Sequence, residues 1–319
     1  MRRNYRLRGL GHVLAAAALA ILATLLVYVF AVGPWQMRYG ATDAEVSRTL
    51  PGDELTTLPQ NQTTRAITID APATGVWPWL VQMGQGRGGL YSYETLENLI
   101  GCDMHNSDTI VSAWQDTAVG DRVRMYPEGS GPPPYTVARI VPGQALILGH
   151  TTEPGGVPST VTPQTQWGET WSFILQPINE QSTRLIIRGR STYSDPVMGA
   201  IMSAVAPGYF LMERGMLSGI KERAERAAGL QSNATAADGW GAAFLLSALL
   251  GLVAYLFAGR WPQKLVILPL GSAIWVLALF FGYPSAVIAA LIALMALAAL
   301  VWNYLPIHAS ASAPIRAAA

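Results

Sequence analysis

Glu169 is the carboxylate with the most telling neighbours. In the run Trp167-Gly168-Glu169-Thr170-Trp171-Ser172-Phe173 it shares alternate positions with Trp167, Trp171 and Phe173, and alternate residues of a β-strand point to one face. A carboxylate among aromatic rings can act as a general acid or base, or hold a polar group of a ligand at a cavity rim. A bulge at Gly168 would instead turn it to water. Tyr93 is the second candidate for proton transfer. Tyr91, Tyr93, Trp77, Trp79, Met212, Met216 and Ile220 supply the apolar bulk, with a few polar handles, that lines a small-molecule pocket. Plain core packing is the other use of the same set.

Three further groupings invite chemistry and offer less. The string Gly84-Gln85-Gly86-Arg87-Gly88-Gly89 looks like a phosphate loop, but a dinucleotide fingerprint follows a strand and opens a long crossover helix. Here a helix precedes it, so a loop between two helices is expected, with Arg87 left as a contact for an anionic group. Cys102, Asp103, His105 and Asp108 lie close together without the further ligands of a zinc site or an activating neighbour for the thiol, and no metal or cofactor is expected. His150 is far from them in sequence. Arg184, Arg188 and Arg190 alternate with apolar residues and read as a solvated outer face, able to orient the domain near anionic lipid.

These side chains need elements to position them. Residues 65–70 have the pattern of a strand, and residues 74–83 that of a helix. The glycine cluster follows, and Ser92 is placed to cap a short helix over 93–100 that Gly101 stops. Strand patterns then recur at hairpin spacing over 122–126, 135–141, 145–150, 166–176 and 183–191, with Pro142-Gly143 and residues 179–182 as turns. Residues 207–228 form an amphipathic helix, with Phe210, Leu217, Ile220 and Ala224 near one face and Glu213, Lys221, Arg223 and Glu225 mostly elsewhere. The fold class expected is α+β, an antiparallel meander whose apolar face is covered by the long C-terminal helix.

The order of elements, with Ala66-Ile67-Thr68-Ile69-Asp70-Ala71-Pro72, the run from Val76 to Gly84 that reads Val-Trp-Pro-Trp-Leu-Val-Gln-Met-Gly, Tyr91-Ser92-Tyr93-Glu94, Leu96-Glu97-Asn98 and Thr183-Arg184-Leu185-Ile186-Ile187-Arg188, resembles the SRPBCC superfamily. That is the START, pollen-allergen and polyketide-cyclase-like group with the helix-grip fold, here in a bacterial branch. The resemblance covers about residues 64–230 and is most specific in the Trp-Pro-Trp string. It implies a ligand cavity between the sheet and the terminal helix. It does not imply one reaction, because relatives include lipid carriers, hormone-binding proteins and cyclases.

Composition sets the context. Of 319 residues, 51% are hydrophobic and 13% charged, with a formal net charge of +1. About 25% charged is usual, so a nucleic-acid binder driven by bulk charge is excluded. One cysteine closes no intrachain disulfide. Residues 13–32, 240–258, 265–282 and 286–304 carry no charge, and about 20 such residues cross a bilayer as a helix. The expectation is therefore a helix-grip domain plus four transmembrane α-helices, with Trp35, Trp240, Trp261 and Trp302 near span edges. Arg2, Arg3, Arg6, Arg8, Arg260, Lys264 and Arg316 fall on one side if the spans alternate, which makes both termini cytoplasmic and residues 34–239 extracytoplasmic. A cleaved signal peptide in place of the first span is the alternative. The expected order is an N-terminus over 1–12, a first span, a spacer over 33–63, the domain over 64–232, three further spans and a tail over 305–319.

The function expected is a membrane-tethered binding domain for a hydrophobic or amphipathic small molecule, lipids included. Its site would be drawn from Arg87, Tyr91, Tyr93, Trp167, Glu169, Trp171, Met212, Met216 and Ile220. The alternatives are a cyclase- or hydrolase-like enzyme using the same cavity through Glu169 or Tyr93, and a membrane scaffold or sensor that meets a protein partner through its helices.

Overall fold

The computed structural model describes residues 28–153, 155–192 and 196–230, with Leu22, Leu26 and Leu249 as isolated positions. The chain divides into two units, residues 1–234 and 235–319, and the architecture below belongs to the first. Its strands are β1 (Asn61–Ile69), β2 (Arg122–Val123), β3 (Tyr135–Val141), β4 (Ala145–Thr151), β5 (Trp167–Asn179) and β6 (Ser182–Ser191). Its α-helices are α1 (Gly33–Met37), α2 (Asp43–Ser47), α3 (Ala73–Val81), α4 (Glu94–Leu99) and α5 (Pro196–Ala227), with a π-helix over Tyr28–Val32 before α1 and a 3₁₀ turn over Ser112–Trp114.

The strands form one antiparallel sheet in the order β1-β6-β5-β4-β3-β2. The expected meander is present, and β1 closes it by returning to pair with β6. Period-two alternation decides its faces. Tyr135, Val137, Leu146, Leu148, Trp171, Phe173, Leu175, Leu185 and Ile187 share one buried cluster with Met216, Leu217 and Ile220 of α5. The helix therefore covers the apolar face, as its own pattern requires. α5 begins well before residue 207, so Pro207 sits inside the helix and not at its start. Ser92 caps nothing: Tyr93 takes the cap position of α4, and the Ser92 hydroxyl lies against Gly215, where a Cβ would come within 2.5 Å of it.

The other face departs from expectation. Residues 41–58 do not stand off as a spacer. They lie over the sheet, with Leu50 clustered on Ala66, Ile147, Trp167, Ile174 and Ile186. α2 is fixed there by a capping box in which Thr42 and Glu45 exchange hydrogen bonds. The arginine row lies beneath this cover, with Arg188 buried and Arg184 and Arg190 half-buried, and is not a solvated face. Arg188 is 1% exposed, bonds Asp53 at 2.7 Å and donates to the carbonyls of Arg48 and Val46. Arg184 donates to Glu45 at 2.8 Å. Five donors on a rigid guanidinium let it tie a strand to a loop, which is why an apparent solvent face can be an interior one.

The four transmembrane helices are corrected. Among the described residues no helix is long and apolar enough to cross a membrane. Residues 240–258, 265–282 and 286–304 lie outside the described residues apart from Leu249, and the end of 13–32 is the Tyr28–Val32 π-helix. Trp35 marks no bilayer edge. It packs edge-on against Tyr39 and Phe210, with ring centroids 5.4 and 5.2 Å away, joining α1 to α5. The integral-membrane assignment, the cytoplasmic termini, the extracytoplasmic placement and the membrane as partner rested on those spans and fall with them.

Candidate functional site

A cavity of about 400 Å³ lies between the sheet and the first half of α5. β1, β5 and β6 form its floor, Met202, Ala206, Tyr209 and Met212 of α5 its roof, and Tyr28, Gly33 and Gln36 one side wall. It exists because packing is uneven along the helix. Phe210, Leu217 and Ile220 are fully buried against the sheet. Nearer the start of α5, smaller or flexible residues (Ser203, Ala206, Met202) face the small floor residues Thr63, Gly189 and Ser191.

Two groups of charged side chains, one buried and one half-buried, are set at this space. Arg65 of β1 and Glu213 of α5 form an ion pair, with 4% and 7% of their side chains exposed. The Arg65 Nε also donates to the Gln36 carbonyl at 2.7 Å, and its guanidinium lies 5.4 Å from the centre of the Phe210 ring. The second group centres on Glu169. Tyr135 donates to its Oε1 at 3.0 Å, and His150 Nδ1 lies 3.2 Å from its Oε2. The other ring nitrogen of His150 faces the Pro133 carbonyl at 3.1 Å. Tyr135 stacks on His150 with centroids 4.0 Å apart. Burial pushes the Tyr209 phenol up, and the charge of Glu169 adds to the effect.

The bulge expected at Gly168 occurs, with a different outcome. The β4–β5 register shifts between His150, opposite Glu169, and Thr151, opposite Trp167. The extra residue leaves Glu169 on the cavity side and sends Trp167 to the opposite face, over Gly149 and beside Leu50. Trp167 therefore does not line the cavity, whereas Glu169, Trp171 and Met212 do.

The remaining expected site residues are elsewhere. Met216 and Ile220 are fully buried further along α5, in the filled core. Tyr91 is held at φ 60° beneath α5, edge-on to Trp79 and 5.1 Å below the Arg223 guanidinium, and burial pushes its phenol up. Tyr93 is buried against Gly215. Arg87 is turned to its own fold. It donates to the carbonyls of Val81 and Trp114 and to the Thr117 hydroxyl, bracing the glycine loop. That loop is closed by a bridge between Gly84 and Gly89.

Among the described residues, no group of three His, Cys, Asp or Glu side chains could hold a metal ion. Cys102 is buried, which pushes its thiol up. His105 is exposed and pairs with Glu94 and Asp103, while Asp108 pairs with Arg223.

No protein-family model matches the chain, and no curated protein is significantly similar to it. Solved structures are similar over about half of it. A crystal structure of a Mesorhizobium loti protein is 15% identical, covering 52% of this chain and 98% of its own, with a TM-score of 0.31. A solution structure from Thermobifida fusca is 14% identical, covering 54% and 97%, at 0.33. The Aha1 dimer from Colwellia psychrerythraea is 17% identical, covering 49% and 94%, at 0.26. The antiparallel sheet closed by α5 is compatible with a helix-grip fold.

Arg65, Glu213, Gln36, Tyr135, His150 and Tyr209 are site residues that the sequence reading does not select, although it places Glu213 on the long helix and sets His150 apart from the Cys102 cluster. For two of them a signal was present. Arg65 occupies the same parity as Ile67 and Ile69, and Glu213 falls three and four residues from Phe210 and Leu217, so both are charges at positions the pattern reserves for apolar side chains.

Proposed function

We propose that this chain is a helix-grip binding protein of SRPBCC type that holds a hydrophobic or amphipathic small molecule, such as a lipid, between the sheet and α5. The observation that carries the reading is the cavity itself. At about 400 Å³ it falls in the 300–1,000 Å³ range typical of small-molecule sites. Apolar Trp171, Met125, Met202 and Met212 contribute to its lining beside polar groups such as Gln36, Glu169 and the Arg65–Glu213 pair. The test is titration of the full chain with the apolar dye N-phenyl-1-naphthylamine. Saturable, blue-shifted emission is expected, and Ala206→Trp, which fills the space from the helix side, should abolish it. No saturable binding, or unchanged binding in a folded Ala206→Trp protein, would refute the reading.

The meeting of Glu169, Tyr135 and His150 at one wall favours a second reading, acid–base catalysis on the bound molecule. Mass spectrometry of a small-molecule extract incubated with the protein should then show a conversion that Glu169→Gln abolishes while dye binding persists. Identical product profiles for wild type and variant would dispose of it.

A further inference from the structure

Three residues that line the cavity carry a buried polar atom without a partner among the described residues; besides the Nε of Arg190, these atoms are the indole Nε1–H of Trp171, a donor, and the side-chain Oε1 of Gln36, an acceptor. Trp171 and Gln36 are 4% and 3% exposed. The same Gln36 side chain is fixed through Nε2, which donates to the Tyr28 hydroxyl at 2.8 Å. A buried donor or acceptor left without a partner forfeits its hydration with no return, so each of these atoms is a position at which a guest's polar group is favoured.

The charges nearby decide what kind of group. The carboxylates lining the cavity are Glu169 and Glu213. Against them stand Arg65, already committed to Glu213, and Arg190, whose guanidinium meets Asp53 on the far face of the sheet through Nη1 and leaves its Nε without a partner there. An anionic head group would enter beside two carboxylates, with Arg65 held by Glu213 and the Arg190 guanidinium turned to the opposite face. An ammonium would offer no acceptor to the Trp171 N–H.

We propose that the molecule held here carries a neutral head group that both accepts and donates a hydrogen bond, as an alcohol or primary amide does, in place of a carboxylate or an amine. This rests on the binding reading above and specifies its ligand class.

The experiment displaces N-phenyl-1-naphthylamine from the full chain at pH 7 with decan-1-ol, decanoate or decylamine, which share one chain and differ in the head. The alcohol should displace the dye at a concentration at least about ten-fold lower than either charged probe. Trp171→Phe and Gln36→Leu should each weaken the alcohol roughly three- to ten-fold, the loss of one net hydrogen bond, and by more than they weaken the dye. Decanoate or decylamine binding as tightly as the alcohol overturns the proposal, as does an alcohol affinity unchanged in both variants. The wild-type ranking carries the test even if a variant fails to fold. A dye that binds with a flat ranking defeats this inference alone, whereas a dye that does not bind defeats the cavity reading as well.

Discussion

The ion pair between Arg65 and Glu213 should decide whether this domain stays folded, and its removal can be worked through. Both partners are buried on facing elements. Glu213→Leu leaves the Arg65 charge inside the protein with one carbonyl, that of Gln36, and the face of Phe210. Breaking a buried pair from one side costs about 3–5 kcal/mol, because the remaining charge is uncompensated. With a urea m-value of about 2 kcal/mol/M, the unfolding midpoint should fall by about 2 M. Arg65→Met, which strands the carboxylate, should cost a similar amount. The double variant Arg65→Met with Glu213→Leu replaces both charges by apolar side chains and should return to within about 1 kcal/mol of wild type. The assay is urea denaturation followed by far-ultraviolet circular dichroism. If Glu213→Leu costs less than about 1 kcal/mol, or the double variant is no more stable than the single one, the pair is not buried and unrelieved as described.

Gly219→Ala should cost about 3 kcal/mol or prevent folding, because its Cβ would stand 2.0 Å from the Tyr91 carbonyl oxygen. Gly208→Ala in the same helix meets nothing within 4 Å and should stabilise by about 0.5–1 kcal/mol; thermal melts separate the two. Asp53 holds both Arg188 and Arg190, so Asp53→Ala should cost about 3 kcal/mol, against less than about 1 for Glu54→Ala, whose pair with Arg139 is exposed. Burial pushes the Glu45 carboxyl up, but bonds from Arg184 and the Thr42 backbone outweigh it and hold the group at about 2. Since that is below its unfolded value of about 4.3, its stabilisation is complete above that pH and is lost as pH falls through about 2. Glu45→Gln should flatten that part of the curve of urea midpoint against pH.

Much of the sheet was legible because its signals are local. Alternation over β5 and β6 and the turn at Pro142-Gly143, where Gly143 adopts φ 72°, each require a few consecutive residues. The start of α5 is not legible because proline favours the first turn of a helix, and the apolar residues before Pro207 give no amphipathic contrast that would mark an earlier start. The cover on the outer face was illegible for a different reason. Arg184 and Arg188 meet Glu45 and Asp53 across more than 130 positions of sequence. An arginine alternating with isoleucine looks the same whether water or a loop satisfies it.

The site shows the same division, and bulge geometry makes it instructive. Strand parity alone put Trp167 and Glu169 on one face. Insertion of Gly168 broke that equivalence, and the strand had to place one of them on the opposite side. What chose Glu169 for the cavity lies on β4 and β3, where His150 is its neighbour across the ladder and Tyr135 reaches its other oxygen. On the outer face the bare Cα of Gly149 leaves room for the indole of Trp167. Neither strand contains that information by itself, since it exists only once the register is set. A charge at an apolar position is therefore the part of such a site that one sequence can display. Arg65, Glu169 and Glu213 all display it, and the fold then pairs each with a group from another element. Among the atoms left over after that pairing, the Trp171 N–H and the Gln36 Oε1 belong to ordinary residues with no anomaly of type or spacing. The features that would select a ligand are thus the ones that pattern reading is least able to find.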